Sequence, residues 1–313
     1  MLAALVRSGL VEATHEGAVA VVAADGTFLA SSGDVDRPFF IRSAAKPFQA
    51  AACLRLGFDP PAEHLALACG SHPGEPVHVA IAEAMLASAG LTADALRCPA
   101  DWPLSRDATH RLVAAGRTRS PVFHNCSGKH ASWLATSVLN GWDLASYLDP
   151  SHPVQRAIFD LMSEAGAALL PAGIDGCGAP VYRTSVRMLA AAFASLGTND
   201  GWRRVFEVMS AYPALTGQEL GADRLITTWL DAVAKGGAMG CIGISTRDGI
   251  GVAAKCWDGS DQAAGVGALA ALQQLGRAPE SVARHLEPVA RPPVFGAAAV
   301  VGALESRLEL QWA

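Results

Sequence analysis

The sequence predicts an α+β fold, a mainly antiparallel sheet built from both chain ends with helices packed around it. Three observations carry that expectation. Residues 17–32, "GAVAVVAADGTFLASS", run a β-branched segment into Asp25-Gly26 and out into a second apolar run, and residues 240–259, "GCIGISTRDGIGVAAKCWDG", repeat the pattern around Asp248-Gly249. Between these hairpins the apolar residues recur mostly at intervals of three and four. The composition, 51% hydrophobic and 17% charged over 313 residues, supplies a large core and excludes global disorder.

Taken in order, the helical segments are "EPVHVAIAEAMLASAG" (75–90), "ASWLATSVLNG" (131–141), "HPVQRAIFDLMSEAG" (152–166), "GADRLITTWLDAVAKGG" (221–237) and "DQAAGVGALAALQQLG" (261–276), each closing on glycine. The tail "ESRLELQW" (305–312) reads as a last strand. No repeat or low-complexity linker divides the chain, and Pro60-Pro61 and Pro292-Pro293 are too short to link domains, so one domain over 1–313 is expected. A net charge of −5 with no cluster of Lys and Arg argues against a nucleic-acid or anionic-membrane partner. No run approaches the roughly 18 apolar residues of a spanning helix. The N-terminal apolar run ends at Arg7 without the pattern of a signal peptide, and the seven dispersed cysteines do not form a disulfide scaffold. A cytoplasmic enzyme is the expectation.

Four segments concentrate chemistry. In "RSAAKPFQA" (42–50), a helix beginning near Ser43 places Lys46 one turn later on the same face, and Pro47 requires the start to lie close by. Burial and the positive helix end both favour a neutral amine, which can activate a serine. The same residues also describe a capping serine followed by a solvated lysine. "CGSHPGEPVHVA" (69–80) is a polar loop entering a helix, with Ser71, His72 and Glu75 chemically capable, although Glu75 and Pro76 also suit a plain helix start. "HNCSGKHASW" (124–133) sets Asn125, Cys126, Lys129 and His130 before a helix, and "GIDGCGAP" (173–180) sets Asp175 and Cys177 among glycines. The two could share a thiolate metal site, yet neither carries Cys-x-x-Cys, and buried inert cysteines are common. Lys255 closes the second hairpin, where a lysine either reaches a site or protects a sheet edge.

In this order, "THEGAVAVV", "RSAAKPFQA", "GSHPGEPVHV", "HNCSGKHA", "GIDGCGAP", "AKGGAMG" and "GVAAKCWDG" resemble the asparaginase II family, the rhizobial-type L-asparaginases, over about residues 15–259. The resemblance implies a fold related to serine β-lactamases and glutaminases and hydrolysis of L-asparagine to aspartate and ammonia. It implies two Ser–Lys pairs, Ser43–Lys46 and Ser71–Lys255, and a zinc ion on Cys126, Lys129 and Cys177. Asp175 then falls near metal and substrate, with Arg42, His72 and Asn125 as further substrate-binding candidates. A homodimer is expected as well. Glu16, Pro73 and Met239 depart from the family pattern, where Arg, a small polar residue and Glu are usual.

Other chemistries remain open at this stage. Cys126 or Cys177 could be the nucleophile with His130 as base, or the cysteines could hold a structural zinc in a binding protein without turnover. A penicillin-recognising acyltransferase would share Ser-x-x-Lys, but Ser-Asp-Asn and Lys-Thr-Gly are absent.

Overall fold

Both predicted hairpins form. A computed structural model describes residues 1–313, with strands β1 (Ala3–Arg7), β2 (Leu10–His15), β3 (Gly17–Ala23), β4 (Phe28–Ser32), β5 (Phe39–Phe40), β6 (Leu169–Ile174), β7 (Pro180–Thr184), β8 (Ala232–Gly237), β9 (Cys241–Thr246), β10 (Ile250–Cys256), β11 (Pro293–Gly296), β12 (Ala299–Ser306) and β13 (Gln311–Trp312). Gly26 and Gly249 take the φ values of +84° and +86° that their tight turns need. The main sheet has the order β13-β4-β3-β10-β9-β8, with every neighbouring pair antiparallel. Strands from residues 17–32 thus lie beside strands from residues 232–256, which is the predicted assembly from both chain ends.

The sheet is buried on both faces. Along β3, Ala18, Ala20 and Val22 enter one core cluster, while Val19 and Val21 enter a second. This is the period-2 alternation of a strand between two layers. The larger cluster holds the Lys46–Arg55, Ser127–Leu139 and Val186–Leu196 helices; the smaller is roofed by the Asp261–Gln274 helix. The Val186–Leu196 helix lies directly on β10, where a Cβ at Gly251 would fall 1.9 Å from the Ala190 carbonyl oxygen. Only glycine permits that approach.

Three features depart from the sequence reading. The segment 221–237 is not one helix: the helix covers Ala222–Trp229, and Ala232–Gly237 is β8. Nearly all of β8 is buried, so its apolar residues run consecutively and the helical period of the preceding turn reads straight into it. The first fifteen residues form the β1–β2 hairpin, which joins a four-stranded sheet of order β11-β12-β1-β2. The tail splits, β12 ending at Ser306 in that sheet and β13 pairing with β4 in the main one. A small sheet, β5-β7-β6, lies apart from both. No helix is long and apolar enough to cross a membrane.

Candidate active site

Ser43 sits in a short 3-10 helix, Arg42–Ala45, that leads directly into the Lys46–Arg55 helix, with Pro47 in its first turn. The helix therefore starts where Pro47 required. Arg42, immediately before Ser43, has φ +52°, a conformation side chains rarely adopt, and its Nε lies 2.7 Å from Asp175 Oδ1. The pairing ties the Ser43 turn to the loop between β6 and β7.

Lys46 is fully buried. Its Nζ faces three acceptors: Gly70 O at 2.5 Å, Ser71 Oγ at 2.9 Å and Asn125 O at 3.4 Å. An ammonium satisfies all three. The neutral amine keeps two N–H groups for the carbonyls and turns its lone pair to the Ser71 hydroxyl, so a proton can come and go without rearrangement. Burial depresses the Lys46 pKa to about 8; Lys129 and Lys235 act in the same direction and the Cys126 thiolate opposes them.

A cavity of about 260 Å³ opens beside these groups, lined by Ser43, Ser71, Asn125, Asp223, Lys235 and Asp261 among others. Lys235 comes from β8, is almost fully buried, and places Nζ 3.0 Å from Asp223 Oδ2 and 2.9 Å from Gly236 O. Asp223 Oδ2 also accepts from Gly236 N at 3.2 Å, and Ala234 N is likewise turned away from β9, to Thr227 Oγ1. Ala238, the first residue of the turn after β8, lines the same cavity.

The structure does not pair Lys255 with Ser71. Lys255 lies on β10, two strands inward from β8, and its Nζ donates to Met239 O and Cys256 O, both at 2.5 Å, beneath the Phe39 and Trp257 rings. Nor does it guard an edge, because β10 is flanked by β3 and β9. The lysine that shares the cavity with Ser71 is Lys235, and Ser71 itself bonds to Lys46. Sequence reasoning missed Lys235 because it fell inside the segment taken as helix. The usable signal was Lys-Gly-Gly, two glycines that leave a strand edge open to a ligand.

His72 does not line the cavity. It is fully buried, with Nε2 3.0 Å from Ser127 Oγ and its ring stacked on His78, and burial holds its pKa well below the usual imidazole range. Its place is beneath the Ser127–Leu139 helix start. Arg42 and Asp175 also stand outside the cavity lining, ion-paired with each other; Asn125 is the one predicted substrate contact that lines it.

Cys126, Lys129 and Cys177 do converge. Lys129 Nζ lies 3.2 Å from Cys177 Sγ, and the Cys126, Lys129 and Cys177 side chains are all buried. The neighbouring Cys177, with Lys46 and Lys129 acting against burial, holds Cys126 well below the usual thiol range. Burial works against the Lys129 ammonium, but Cys126, Cys177 and Asp175 together outweigh it and raise its pKa. His130 is turned elsewhere, with Nδ1 2.7 Å from the Tyr147 hydroxyl and its ring against Trp133. Its ring forms no hydrogen bond to either cysteine side chain, so the structure does not bring together the cysteine–His130 pair of the alternative reading.

The family profile described as L-asparaginase II matches residues 3–306. The chain belongs to the L-asparaginase II family. As a member of the L-asparaginase II family it is an amidohydrolase acting on a small amino-acid amide, and the non-catalytic binding protein falls away. Similar solved structures include a probable glutaminase, ybaS (16% identity over 83% of this chain and 86% of that one, TM-score 0.48), and a β-lactamase from Sphaerobacter thermophilus DSM 20745 (17%, 85% and 93%, TM-score 0.43). Mglu in its native form is similar at 16% identity over 85% of this chain and 66% of its own, with a TM-score of 0.41. Comparison with curated proteins gave no match.

Proposed function

We propose that this L-asparaginase II family member hydrolyses the side-chain amide of L-asparagine to L-aspartate and ammonia through an acyl-enzyme on Ser43. The observation that carries the reading is Lys46, a fully buried amine with a depressed pKa that touches Ser71 one helical turn from Ser43. Ser43 and Ser71 open into the same cavity, whose 260 Å³ suits an amino acid better than a polymer.

Ser43 Oγ attacks the amide carbon and its proton passes to Lys46 Nζ. From Lys46 the proton crosses to Ser71 Oγ, and Ser71 gives its own to the departing nitrogen, so ammonia leaves and an ester remains. A water then attacks the ester carbon, Lys46 takes its proton, and Ser43 recovers one as the C–O bond breaks. The oxyanion would sit between the N–H of Ser43 at the helix start and that of Ala238, donors worth about 3 kcal/mol each in such sites. Lys235, fixed by Asp223, supplies positive charge beside the cavity for the substrate carboxylate. Arg42 and Asp175 hold the Ser43 turn in place.

Zinc fits Cys126, Lys129 and Cys177, because two sulfurs and one nitrogen already converge there in a buried setting. When bound it would supply a fixed positive charge that orients the substrate. Lys129 must lose its proton to serve as a ligand. We place the chain in the cytoplasm on the strength of seven unpaired cysteines, and as a homodimer because isologous dimers are the commonest assembly.

Ammonia release from asparagine by wild type and Ser43→Ala tests the reading. The variant should lose at least about a thousandfold in kcat while keeping its circular dichroism. Residual activity within about tenfold of wild type would remove Ser43 as nucleophile.

A further inference from the structure

We propose that His15, Cys256 and Asp258 form a second metal site, for a zinc-class divalent cation, separate from the Cys126, Lys129 and Cys177 set. His15 Nδ1 lies 2.7 Å from Asp258 Oδ2, Cys256 Sγ lies 3.0 Å from Asp258 Oδ1, and one donor atom from each residue falls within 4.8 Å of the others. The donors are an imidazole, a thiol and a carboxylate, a borderline-soft set that selects zinc or cobalt over calcium or magnesium.

Sheet register holds the three together. His15 ends β2, and its backbone O accepts from Leu2 N at 2.8 Å. Cys256 ends β10 opposite Gly17, the first residue of β3, and Trp257 N donates to Glu16 O at 2.9 Å. Asp258 is fixed by Ser260 N on Oδ1 at 2.9 Å. Two chain segments, 15–17 and 256–260, are thus clamped where the four-stranded and main sheets meet, the rigid placement that a ligand set requires. Cys256 is buried, whereas the His15 and Asp258 side chains are 18% and 48% exposed, which leaves the fourth tetrahedral position to water.

Binding releases the thiol proton to solvent and moves the imidazole proton to Nε2, freeing Sγ, Nδ1 and Oδ2 for the cation. The site also has a neighbour of consequence. Cys256 N donates to Gly240 O at 2.7 Å, and a Cβ at Gly240 would lie 3.1 Å from the Cys256 Cβ. The cation would therefore brace the turn from β8 to β9 that borders the active cavity at Ala238.

Cobalt(II) titration of chelator-stripped, full-length protein tests the assignment by stoichiometry and by the sulfur-to-cobalt charge-transfer band. Wild type should bind one equivalent more than Cys256→Ser, and His15→Gln should lose the same equivalent. The Cys126→Ser/Cys177→Ser variant should keep one equivalent with a single-thiolate band that zinc displaces. Equal stoichiometry in wild type and Cys256→Ser would overturn the site. So would an equivalent that depends on Cys256 yet survives His15→Gln, since that is thiol binding alone. If Cys256→Ser fails to fold, Asp258→Asn provides the same readout with the thiol intact.

Discussion

Lys46 has no carboxylate partner among its contacts, only two carbonyls and a hydroxyl, so burial governs its charge. A base that works as the free amine is active above its pKa. The rate of amide hydrolysis should therefore rise with pH and level off above about 8, and kcat/KM against pH would show that limb. Arginine retains the charge but cannot be deprotonated in a protein, so Lys46→Arg should lose about as much kcat as Lys46→Ala. An arginine variant with substantial activity would make Lys46 an electrostatic residue. The two lysine assignments are separated by a double-mutant cycle. Ser71 and Lys46 share a hydrogen bond, so their losses should be non-additive, the double variant being little worse than either single one. Ser71 and Lys255 are not in contact through any hydrogen bond, and their losses should multiply. Multiplicative losses for Ser71 and Lys46 in single-turnover kinetics would break the relay.

Elements differ in how much of themselves a sequence reveals, and the site shows why. The hairpins at Asp25-Gly26 and Asp248-Gly249 and the helix opened by Pro76 were legible because turn and cap chemistry is local. β8 was not, since an apolar strand covered on both faces loses its alternation, and with it went Lys235. The β1–β2 hairpin escaped for another reason: its turn is Ser8-Gly9, with φ +49° and +82°, and β2 faces outward, so Leu10 and Val11 are exposed and mark no buried face. Loop 69–75 also acts through its backbone. A Cβ at Gly70 would fall 2.2 Å from Leu215 O, and the Gly70 carbonyl is a Lys46 acceptor. Gly70→Ala should therefore displace the loop, at a cost of about 1–3 kcal/mol by overpacking, and lower kcat and the thermal midpoint together. Gly90→Ala, at φ +72° with open space around it, should lower only the midpoint, and the pair of variants measured side by side distinguishes crowding at the site from backbone strain.

Across the whole molecule, the site lies where distant segments meet: Ser43 and Ser71 from the first quarter of the chain, Asn125 from its middle, and Asp223, Lys235 and Asp261 from its last third. Local pattern could nominate each motif, but only the antiparallel register of both chain ends decides which lysine reaches which serine. The thiolate set spans a similar seam. Cys126 and Lys129 stand at the start of the Ser127–Leu139 helix, and Cys177 stands in the loop between β6 and β7, so a bound ion would tie the helical layer to the small sheet. An ion that binds only the folded state stabilises it by about 2.7 kcal/mol at a hundredfold excess over its dissociation constant. For a chain of this size that corresponds to a thermal midpoint roughly 4 °C higher with zinc than in chelator. The comparison belongs in a Cys256→Ser background, where the His15 cluster cannot contribute. There, Cys126→Ser/Cys177→Ser should show no response to zinc and should behave as the chelated protein does. A midpoint that chelator leaves unchanged would mean that Cys126, Lys129 and Cys177 form an ammonium–thiolate cluster in the working enzyme, with no metal between them.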